Sequence, residues 1–228
     1  MRFDCSSAPD HSLRMKTHTL KRGTLGTTQL VQHGDTALVE RDTRNALFLL
    51  RWLARRLAAR EAAALTALAH VAHVPKLLGF DGAVVRRSYL PGAALHRAPP
   101  PSRAYFASAL RVLRVVHRAG VAHNDLAKEA NWLVAPGDAA GIVDFQLASC
   151  SAVRGARFRR RAYEDLRHLL KHKRTYHPQW LTQRQLRVLA RPAPATRIWR
   201  ALVKPLYRIV TRGLLRWPER EGANERTS

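Results

Sequence analysis

Two cysteines in 228 residues, Cys5 and Cys150, set the first limits. They are too few for a thiolate metal site, and a disulfide framework needs far denser cysteine. Long apolar runs are missing too. No stretch of 18 uncharged apolar residues occurs, so no segment reads as a membrane-spanning helix. Residues 1–16 are polar, are broken by Pro9 and lack the apolar core of a secretory signal. A cytoplasmic location is therefore expected. Acidic side chains are scarce as well: 16 Asp and Glu against 40 Lys and Arg give a formal net charge of +24. Such an excess suits polyanions, whether nucleotide, nucleic acid or an anionic membrane surface. A composition rich in Arg, Ala and Leu accounts for the charge equally well. No aromatic-rich basic strand accompanies it, so no specific nucleic-acid partner is expected.

Apolar residues make up 46% of the chain, enough for a core. Glycine and proline are absent from Thr43 to His73, a stretch dominated by Leu, Ala and Arg. That composition predicts helix, as two segments. Before it, Thr27–Gln32 and Thr36–Arg41 read as strands about the His33-Gly34-Asp35 turn, with Gly23 and Gly26 in a loop upstream. After it, Lys76–Phe80 and Ala83–Leu90 read as strands around Asp81-Gly82, and Pro91-Gly92 breaks the chain. A helix over Arg103–Arg118 ends at Gly120. Gly141–Phe145 reads as a short strand. Helices follow around Tyr163–His172, Thr182–Ala190 and Arg197–Leu215. The order is α+β: strands, helix, strands, then mostly helix.

One absence matters for chemistry. Between Asp42 and Asp81 the only acidic residue is Glu61, and between Lys21 and Lys76 there is no lysine. Further on, His123-Asn124-Asp125-Leu126-Ala127-Lys128-Glu129-Ala130-Asn131 gathers polar residues among apolar ones. Asp144-Phe145-Gln146 follows 19 residues after Asp125. Phosphoryl transfer needs a carboxylate near the acceptor hydroxyl and hard oxygen ligands for Mg²⁺ on the phosphates. Asp125, Asn131 and Asp144 have those chemistries.

The first segment resembles the catalytic loop H-x-D-L-x-x-x-N of protein kinases, and Asp144-Phe145-Gln146 resembles D-F-G. Small bacterial kinase-like proteins are the nearest likeness, namely RIO-type serine/threonine kinases and the kinases of lipopolysaccharide core sugars (Kdo or heptose). The resemblance covers roughly Lys21 to Lys173. It implies a two-lobed protein-kinase-like fold, with a strand-rich N-lobe over 17–90 and a mainly helical C-lobe over 91–218. A flexible extension (1–16) and a disordered tail (219–228) would flank them. It further implies ATP and Mg²⁺ as cofactors, with Asp125 as catalytic base, Asn131 and Asp144 as metal ligands, His123 bracing the loop and Lys128 near the γ-phosphate. Gly23 and Gly26 would cover the phosphates, and Glu61 would stand for the αC glutamate. Arg41 would take the place of the missing lysine, and Tyr89, in Arg87–Gly92, would mark the adenine-binding hinge. Asp165 resembles the αF aspartate that anchors the catalytic loop.

Three departures stand out. Asn131 falls six residues after Asp125 instead of five, which a one-residue bulge absorbs. Gln146 replaces a glycine, and Arg41 a lysine. The stretch from Asp144 to Asp165 leaves no room for a long activation segment. The implied activity is transfer of the ATP γ-phosphate to a hydroxyl on a lipopolysaccharide core sugar or a protein Ser/Thr. The alternative is a catalytically weak pseudokinase that binds ATP or acts as a scaffold. The basic amphipathic pattern over 197–216, interrupted by Pro205, reads first as a helix packed on the C-lobe with an arginine-rich outer face, and alternatively as peripheral contact with the anionic inner face of the inner membrane. His168 and His172 share a helical face without a third ligand and read as surface or packing residues.

Overall fold

The computed structural model describes residues 16–34, 36–98 and 101–190. The helix expected over Arg197–Leu215, its membrane-facing reading and the two terminal segments at 1–15 and 219–228 lie outside them. The chain forms two compact units. One holds residues up to Ala59 together with Leu77–Tyr89; the other holds Arg60–Lys76 and the chain from Leu90 onward.

The first unit is built on an antiparallel sheet. Its strands are β1 (Lys16–Gly23), β2 (Gly26–His33), β3 (Thr36–Asp42), β4 (Leu77–Phe80) and β5 (Val84–Ser88), in the order β1-β2-β3-β5-β4. In β3 the period of two sends Val39 and Arg41 to one buried face, while Glu40 on the other meets Arg86 of β5 at 2.8 Å. Asp81 shapes the β4–β5 turn by accepting the backbone N–H groups of Ala83 and Val84 at 2.9 and 2.7 Å.

In place of the two helices expected over Thr43–His73 a single one forms, α1 (Arg51–Ala67), preceded by a 3₁₀ turn at Phe48–Leu50. The residues before it are committed elsewhere. Thr43 donates its backbone N–H and its hydroxyl to the Ala83 carbonyl at 3.0 and 2.7 Å, and Leu47 donates to Thr24 O at 3.0 Å. Those bonds replace the i→i−4 ladder with ties to the sheet. The unit division falls within α1, between Ala59 and Arg60.

The second unit carries α2 (Arg103–Arg118), with the bounds its sequence predicts. Ser102 caps its start by accepting the Tyr105 N–H at 3.1 Å. Its inner face buries Tyr105, Phe106, Ala109, Val112, Leu113 and Val116. Short strands β6 (Ala93–Ala94), β8 (Trp132–Ala135) and β9 (Ala139–Ile142) form one sheet, and β7 (Val121–Ala122) pairs with β10 (Ser149–Cys150). The strand expected over Gly141–Phe145 starts earlier and stops at Ile142, because Asp144 turns left-handed at φ 67°, ψ 64°. Helix α3 (Ala156–Tyr176) is longer at both ends than expected. Helix α4 (Gln183–Ala190) is tied to α3 by Tyr163 Oη and Arg167 Nη2, which donate to the carbonyls of Val188 and Leu189. Trp132, Leu126, Ile142 and Phe145 are fully enclosed in this unit's core.

Packing at two positions can be tested directly. At Gly26, φ is +111° and a Cβ would lie 2.2 Å from the Asp42 carbonyl oxygen, whereas a Cβ at Gly23 meets nothing within 4 Å. Gly26→Ala is expected to cost about 2–4 kcal/mol and Gly23→Ala less than about 1 kcal/mol, read as shifts in denaturant midpoint. On α3, burial, then Lys171, pushes the His168 imidazole down to about 4, against the partial offset of Glu164 and Asp165. The folded state then disfavours its protonation. Stability is therefore full above pH ~6.5 and falls toward pH ~4, by about 2–3 kcal/mol. His168→Gln should remove that component when unfolding free energy is compared with wild type across pH 4–7.

Candidate active site

The loop from β7 to β8 is held from below by one carboxylate. Asp165 of α3 is fully buried. Its Oδ2 accepts the His123 backbone N–H at 2.8 Å and its Oδ1 accepts the Asn124 N–H at 2.9 Å. His117 Nε2 lies 3.2 Å from Oδ2 and completes the set. Buried carboxylates persist when their lone pairs are met by hydrogen bonds, and here three donors meet them. Asn124 takes φ 67°, a left-handed backbone that asparagine tolerates better than most residues. Its Nδ2 donates to Leu147 O at 2.8 Å and Ser149 Oγ at 3.2 Å.

His123 is enclosed. Its Nε2 reaches Val143 O at 3.0 Å, its Nδ1 accepts the Asp125 N–H at 3.3 Å, and its ring stands 4.7 Å from that of Phe145. It thus links the Asp125 loop to the strand end before Asp144. The extra residue between Asp125 and Asn131 is taken up by turns. Lys128 N–H donates to Asp125 O, Asn131 N–H donates to Lys128 O, and Glu129–Asn131 form a 3₁₀ turn. Asn131 still returns to Asp125, since its Nδ2 donates to Asp125 O at 2.9 Å and to Asp125 Oδ2 at 3.2 Å. Lys128 Nζ sits 3.0 Å from the same Oδ2. His123, Asp125, Lys128 and Asn131 therefore form one cluster.

Asp144 adjoins this cluster through its neighbour: Val143 N–H donates to Asn131 O at 3.0 Å. The positive φ at this motif falls on Asp144, not on Gln146, which sits in the 3₁₀ turn Phe145–Leu147. Glutamine is therefore unstrained where the D-F-G pattern has glycine, and its Nε2 donates to Asp144 Oδ2 at 3.1 Å. Asn131 spends its amide N–H groups on Asp125, which leaves its Oδ1 for other work; Asp144 keeps Oδ1 likewise. Both are hard oxygens of the kind Mg²⁺ takes alongside phosphates, and no group of three or more His, Cys, Asp or Glu that could hold a metal ion occurs among the described residues.

The remaining expected residues are placed as follows. Glu61 lies in the second unit, on α1, fully buried. Arg41 is buried in the first unit, opposite Thr28 of β2 and Val85 of β5. Gly23 and Gly26 close the two-residue β1–β2 turn, where the Asp42 carbonyl by itself accounts for glycine at position 26. Tyr89 ends the first unit, its N–H on Ala37 O at 3.1 Å and its side chain exposed.

Sequence reasoning missed several supporting groups. Arg60, next to Glu61, donates through Nε and Nη2 to Ala148 O at 3.2 and 3.0 Å, and through Nη2 to Leu147 O at 3.0 Å. It thereby fixes the chain just beyond Asp144. Glu129 accepts Tyr176 Oη at 2.8 Å, while His172 Nε2 bonds Leu126 O at 2.8 Å. Nothing in an arginine-rich helix singles out Arg60. Of the two roles open to His172, surface or packing, the structure shows packing, and its ring adds a polar bond to the Asp125 loop.

No family model matches this sequence, and no curated protein matches it. Among solved structures it is similar to Rio2 kinase from Chaetomium thermophilum. One such structure, an ADP/Mg²⁺-phosphoaspartate complex, aligns with a TM-score of 0.56 at 16% identity, over 79% of this chain and 58% of that one. Another aligns with a TM-score of 0.56 at 15% identity, over 75% and 58%. The fold is protein-kinase-like. The chain spans less than two thirds of the length of these structures.

Replacing Asp165 tests what holds the loop. Asp165→Ala takes the acceptor from one buried and two part-buried donors and is expected to cost about 3 kcal/mol in unfolding free energy. His117→Phe, which removes one donor and leaves the carboxylate its two backbone N–H groups, should cost less. Equal stability of Asp165→Ala and wild type in denaturant titration would refute the anchoring role.

Proposed function

We propose that this chain is an ATP-dependent phosphotransferase that moves the γ-phosphate to a hydroxyl group. The observation that carries this is the Asp125–Lys128–Asn131 cluster, set on a loop pinned by Asp165 and adjoining Asp144. The kinase-like fold supports it, as does the similarity to a Rio2 complex with ADP and Mg²⁺. On this reading Asp125 accepts a hydrogen bond from the acceptor hydroxyl and takes its proton as that oxygen bonds to the γ-phosphorus and ADP departs. Lys128, beside the same carboxylate, offers charge to the phosphoryl oxygens. Asn131 Oδ1 and Asp144 Oδ1 would hold Mg²⁺, which neutralises phosphate charge when bound. Glu61 is proposed as the αC-type glutamate. Gly23, Gly26, Arg41 and Tyr89 are proposed as the first unit's nucleotide contacts. The acceptor is a lipopolysaccharide core sugar at the cytoplasmic face of an anionic membrane, or a protein Ser/Thr. The short stretch between Asp144 and Asp165 favours the sugar, because it leaves little platform for a peptide.

A pseudokinase is the competing reading, favoured by a buried Arg41 where a lysine is expected; an arginine is bulkier and does not act as a lysine does. ADP production with ATP, Mg²⁺ and either a core-oligosaccharide extract or a generic protein acceptor separates the two. Asp125→Asn should lower turnover about 10²–10⁴-fold while leaving ATP binding nearly intact. Asp144→Asn should weaken Mg²⁺-dependent ATP binding as well. Wild-type turnover in both variants would overturn the site assignment, and ATP binding without turnover in wild type would establish the pseudokinase.

A further inference from the structure

The first unit exposes apolar side chains where a folded surface ordinarily hides them. Leu47, Phe48, Leu49 and Trp52 are 56, 79, 80 and 64% exposed, and they are nearly consecutive along the 3₁₀ turn that leads into α1. An exposed cluster of large apolar residues marks an interaction surface. Its surroundings are basic. From Thr43 to Arg60 there is no Asp or Glu, but there are five arginines. Arg44 is neutralised by Asp42 at 2.8 Å, and Arg60 is spent on the carbonyls of Leu147 and Ala148. Arg51, Arg55 and Arg56 have no carboxylate partner among the described residues. The Arg51 guanidinium carbon stands 5.9 Å from the Phe48 ring centroid, beside the apolar cluster.

We infer that this surface docks onto an anionic lipid bilayer, with Leu47, Phe48, Leu49 and Trp52 entering the interface and the exposed Arg55 and Arg56 meeting lipid phosphates. Aromatic and leucine side chains flanked by arginine, without acids, match the boundary between acyl chains and anionic headgroups. A second copy of the chain fits poorly, because a two-fold contact would set these arginines against themselves. The chain's own stretch 197–216 is arginine-rich as well and meets the same repulsion. None of these residues belongs to the candidate active site, and the test reads no turnover.

The experiment is co-sedimentation of the full chain with vesicles of phosphatidylcholine alone or with phosphatidylglycerol, together with light scattering for its mass. Wild type is expected to bind the phosphatidylglycerol vesicles and to release them as salt rises. The combined variant Phe48→Ser, Leu49→Ser, Trp52→Ser should bind about tenfold or more weakly with an unchanged melting temperature, since these side chains leave no core. Arg55→Glu with Arg56→Glu should also lose binding. Serine variants that bind as wild type does would overturn the inference, as would wild type that ignores both vesicles. So would a wild-type dimer that the serine substitutions split into monomers.

Discussion

One buried carboxylate orders the candidate site. Asp165 lies on α3, 42 residues after His123, yet its two oxygens take the backbone N–H groups of His123 and Asn124. Removing a carboxylate of this kind from water is costly, and the fold repays that cost only with donors in fixed positions. The donors must therefore stay where they are. Asn124 is then held in a left-handed backbone, Asp125 emerges above it, and His123 turns inward to Val143 and Phe145. The loop and the strand end bearing Asp144 are thus parts of one hydrogen-bonded assembly.

A second set of ties reaches the loop from its other side. Leu126 O accepts both the Trp132 indole N–H and His172 Nε2, while Glu129 is taken by Tyr176. The extra residue between Asp125 and Asn131 is absorbed here, in turns closed by the Lys128 N–H on Asp125 O and the Asn131 N–H on Lys128 O. A longer loop with paired groups can be as well defined as a shorter one. What decides is whether Asn131 still reaches Asp125, and at 2.9 Å it does.

Much of the fold is legible in the sequence because local signals agree. Gly120 ends α2, the Asp81-Gly82 turn bounds β4 and β5, and the alternation in β3 predicts that Arg41 shares a face with Val39. The expectation of two helices over Thr43–His73 fails for a non-local reason: Thr43 and Leu47 bond to Ala83 and Thr24, and no helix propensity reveals that competition. Asp125 and Asn131 are legible together through the motif they resemble, and the Asn131 amide does return to Asp125. Arg60 is not, since one arginine among many on a helix becomes informative only when the carbonyls of Leu147 and Ala148 are brought to it. The exposed Phe48 and Trp52 are hidden by their apolar character, which a sequence reading assigns to the core by default.

The left-handed backbone at Asn124 and Asp144 has a consequence for how these positions can vary. Both φ values are 67°, a region where a β-branched or bulky residue is strained and where Asn and Asp are the most tolerant non-glycine choices. An alanine placed at either site therefore confounds a lost functional group with a distorted main chain. Exchange between amide and carboxylate leaves the main chain alone. At position 144 the exchange of Asp for Asn removes a charge and keeps the shape of the backbone, so charge and shape can be varied separately there.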